Sequence, residues 1–102
     1  MSEYNQRQYR LMLDEINRYE REKVNLDRLV NALEGLLNVL ERVPESWRIA
    51  FLSEWGKLED ARAVAKFQQT EPNDESIRRT LEAVSRLKLM VLNEMEDVHD
   101  RP

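Results

Sequence analysis

The chain has 102 residues, a net charge of −4, 35% charged side chains, and only two glycines, three prolines and no cysteine. That is one domain's worth of chain, of a composition that favours helix throughout. It excludes disulfides, thiolate chemistry and thiolate metal sites, and its mild acidity argues against a nucleic-acid or anionic-membrane partner.

Apolar spacing of three and four residues marks four helices. The first, over residues 3–22, carries the stripe Tyr9, Met12, Leu13, Ile16 and Tyr19. After the link Lys23–Val24, Asn25 is placed to cap a second helix over 26–42, with Asp27 in its first turn. Leu26, Leu29, Val30, Leu33, Leu36, Leu37 and Leu40 make this the most regular stripe in the chain.

Pro44 ends the second helix and suits the start of a third over 45–67; so short a link makes the two antiparallel neighbours. Trp47, Phe51, Trp55, Leu58, Ala61 and Ala65 form the third helix's core stripe, but Ile49, Leu52, Ala63 and Phe67 lie on roughly the opposite side. A helix apolar on both faces is either buried centrally or meets another chain. Gly56 is the position where it can kink or break.

The polar run from Gln68 to Asp74 is the one real loop, with Asn73 or Asp74 as cap for a fourth helix over 74–96. Ile77, Leu81, Val84, Leu87, Val91 and Met95 are its core stripe; Lys88 falls on the same side and must run its stem along apolar surface. Leu89 and Met90 point elsewhere and add to the surplus. The tail over 97–102 should fray. The expected fold is an all-α antiparallel bundle of about four helices in a single domain.

Few groups carry chemistry. The only histidine, His99, stands near the C-terminus, which removes a histidine-based triad. Glu96-Asp97-Val98-His99 has the Glu-x-x-His spacing of carboxylate-bridged metal bundles, but these need the motif twice and one histidine cannot supply it within a monomer. No glycine-rich turn is present to cradle a phosphate. The expectation is therefore no enzyme, no cofactor and no metal, in a cytoplasmic protein with neither signal peptide nor membrane span. Glu94, Glu96 and Asp97 gather at the negative end of the last helix, where they mark either a partner site or a loosely held tail.

The segment from Asn25 to Ala65 carries a Leu-Asp-x-Leu opening, then Leu-Glu-x-Leu-Leu-Asn, then Trp-x-x-x-Phe-x-x-x-Trp-Gly-x-Leu-Glu. In these elements it resembles small all-helical bacterial immunity proteins of contact-dependent inhibition and related polymorphic toxin systems. That resemblance implies a stoichiometric inhibitor that covers the active or substrate-binding site of a toxin. If the toxin is a nuclease, its cleft must be basic, and an acidic, partly apolar surface would complement it. The candidate partner-binding residues are Ile49, Leu52, Phe67, Leu89, Met90, Glu94, Glu96 and Asp97. The alternative is a homodimeric structural or regulatory protein that uses the same surplus surface.

Overall fold

The computed structural model describes residues 3–68 and 74–99, with side chains described except at 65–68 and 96–99. Among the described residues there are four helices and no strand: α1 (Glu3–Glu20), α2 (Leu26–Val39), α3 (Glu45–Gln68) and α4 (Asp74–His99). Together they form an all-α bundle 50 × 26 × 19 Å in extent.

The helices close into a ring in which α1 packs on α2 and α4, and α3 packs on α2 and α4. Cross-helix bonds fix the directions. Asn5 meets Glu41 while Glu15 meets Arg28, so α1 and α2 are antiparallel. Arg48 meets Asn38, Trp55 meets Val30 and Arg62 meets Asp27, so α2 and α3 are antiparallel. Arg86 of α4 reaches Glu54 of α3, and Lys88 reaches Glu20 of α1.

The helix ends follow from local chemistry. Asn25 caps α2 as expected, its Oδ1 accepting from the Arg28 N–H at 2.9 Å. The end of α1 comes two residues early: Glu22 takes a left-handed φ of 60°, and the N–H groups of Glu22 and Lys23 turn back to Tyr19 and Arg18. That double closure satisfies two of the last free carbonyls and stops the helix. α2 also stops short of the expected Arg42, at Val39, with Leu40 already extended. Asn5 supports the following turn, accepting from the Glu41 N–H at 3.0 Å and donating to its carbonyl at 2.6 Å. α3 runs unbroken through Gly56, and α4 continues to His99, three residues beyond its expected end. Asn73 and most of the polar loop lie outside the described residues.

Phe51, Leu58, Met12, Ile16, Leu29, Leu33, Leu37, Leu87 and Val91 are all fully buried. Trp47 stacks on Phe51 with centroids 5.3 Å apart and meets Tyr9 edge-on at 5.9 Å, while Trp55 Nε1 donates to the Val30 carbonyl at 3.0 Å. Both tryptophans therefore belong to the core, as their spacing predicts.

One stripe is corrected. Ile77 and Leu81 of α4 are exposed, and the buried positions at that end are Thr80, Ala83 and Val84. The reason is length. Lys88 bonds Glu20, the last residue of α1, and Leu81 and Ile77 lie two and three turns further along the same face of α4. No α1 remains there to cover them. Lys88 itself does what its position demands, lying half-buried with Nζ 2.8 Å from the Glu20 carboxylate.

Candidate protein-binding surface

α3 offers two faces, and the ring uses one. Phe51 and Leu58 point inward; Ile49 is 61% exposed and Leu52 40%. Gly56 and Ala63 continue that outward face and are partly exposed. The helix is thus not buried on both sides: its second apolar face is open. Gly56 has open space where a Cβ would stand, so nothing within the chain requires a glycine there. Exposed Glu45 and Asp60 flank this face and make no ion pair among the described residues.

The other expected residues do not all join it. Leu89 is exposed, but it belongs to the outer face of α4. The groove between α3 and α4 is lined by Lys57, Arg79, Glu82 and Arg86, with Glu54 bonded to both Lys57 and Arg86. Leu52 lies about 140° around the helix from Lys57, so this charged seam separates it from Leu89. Met90 does not point away from the core as expected: it is partly buried and packs against it. Glu94 is likewise no solvated tail residue, for it is partly buried and its charge acts on Tyr9. The side chains of Phe67, Glu96, Asp97 and His99 lie outside those described.

Sequence spacing carries no sign of a polar cluster at the α2–α3 seam. Arg62 bridges Asp27 of α2 at 2.8 Å and Glu59 of its own helix, and these carboxylates raise its already high pKa. Its Nε is buried without a partner. Asp27 and Arg62 are 35 residues apart, so only the fold could reveal the pair. On α1, Glu15 holds Arg28 at 3.3 Å and Arg18 at 3.7 Å.

The displaced titrations have structural causes. Burial, with a smaller push from Glu94, raises the Tyr9 hydroxyl from 10.0 to about 12, and burial raises Tyr19 too. Among the described residues no group of three or more His, Cys, Asp or Glu side chains could hold a metal ion. No described helix is long and apolar enough to cross a membrane. Neither a protein-family model, nor a curated protein, nor a solved structure matches this chain.

Proposed function

We propose that this chain acts by binding protein, as an immunity protein that neutralises a bacterial toxin by covering its active or substrate-binding site, without catalysis of its own. The observation that carries the binding role is the open face of α3: Ile49 and Leu52 exposed beside Gly56, flanked by carboxylates free of ion pairs among the described residues. Apolar side chains held out on a rigid helix lose little entropy on docking, and a glycine between them lets a partner backbone come close. Glu45 and Asp60 suit a partner whose rim is basic, as the cleft of a nuclease must be. The toxin assignment rests on the resemblance across residues 25–65, which includes most of this same helix.

The test uses the toxin encoded beside this chain's gene. Wild type should protect cells that produce the toxin and should bind the purified toxin domain one to one. Leu52→Glu and Ile49→Glu should fold, since both positions face outward, yet lose protection. Full protection by both folded variants would remove α3 from the partner surface. The absence of any toxin gene nearby would leave the immunity reading without a target.

A further inference from the structure

We draw no further inference here: the strongest candidate, the exposed face of α2 around Gly35 with the shallow groove it shares with Leu11 of α1, carries nothing, because Asp27 and Arg28 at its end are already paired to Arg62 and Glu15 and nothing in the structure shows what covers the face.

Discussion

Leu87 and Leu81 stand on the same helix, and both satisfy the spacing of its apolar stripe. Leu87 is fully buried, whereas Leu81 is 49% exposed and Ile77, one turn further on, is 43% exposed. The difference lies in the neighbours. Beside Leu87 the ring of four helices is complete; beside Leu81, α1 has already ended at Glu20. Spacing identifies the face of a helix that seeks cover, but only the lengths of the other helices decide whether cover is there.

The largest expected effect falls in the complete half of the bundle. Leu87→Ala and Leu33→Ala each remove a side chain with no exposed surface, so each should cost about 2–5 kcal/mol in urea unfolding. Leu81→Ala should cost much less. Equal losses for Leu87 and Leu81 would mean that α1 is not the element that separates the two ends.

Tyr9 also lies in the complete half, and its titration gives that half a pH signature. Its folded pKa of about 12 lies above the ordinary 10.0. Between those values the folded chain holds the proton while the unfolded chain releases it, so stability falls as pH rises. The contribution is whole below pH 10.0 and is lost on approach to about 12. Tyr19 acts in the same direction. Thermal melts across this window should drop steeply for wild type and less steeply for Tyr9→Phe; identical slopes would show that the Tyr9 hydroxyl is not desolvated by folding.

A smaller effect, of opposite sign, is expected on the open face of α3. A Cβ at Gly56 meets nothing within 4 Å, and alanine is favoured over glycine inside a helix by about 1 kcal/mol. Gly56→Ala should therefore raise stability by roughly that amount. If the glycine serves a partner's close approach, the more stable variant should bind the toxin less well. A loss of stability would instead reveal a bend at Gly56.

Where each residue type had one sensible use, the fold was legible. The α2 stripe is inward as its leucines require, Asn25 caps as expected, and the two tryptophans are core. α3 is only half legible because both its faces are apolar: spacing marks Trp47, Phe51, Trp55 and Leu58 as the core stripe, but it cannot say whether the opposite stripe is buried too, and the ring of contacts leaves Ile49 and Leu52 exposed. Met90 was misplaced because a stripe drawn as a single line is too narrow for a helix with two neighbours. The partners of Lys88 and Arg62 were illegible for a different reason. Each lies on another helix, and nothing local to Lys88 specifies that Glu20 will be the carboxylate it meets.

The smallest expected effect is the sharpest test of the opening contrast. Leu81→Gln and Ile77→Gln place a polar side chain on a stripe that the sequence alone would assign to the core, where an unpaired amide would be strongly destabilising. On the uncovered end of α4 the amide keeps its water, so the change should stay within about 0.5 kcal/mol, the range of ordinary surface substitutions. Leu87→Gln, on the same helix, should instead unfold much of the population. Chemical denaturation of the three variants side by side reads the contrast without any partner. A Leu81→Gln as damaging as Leu87→Gln would mean that this end is covered in solution, and the cover would then have to be sought in another part of the chain or another molecule.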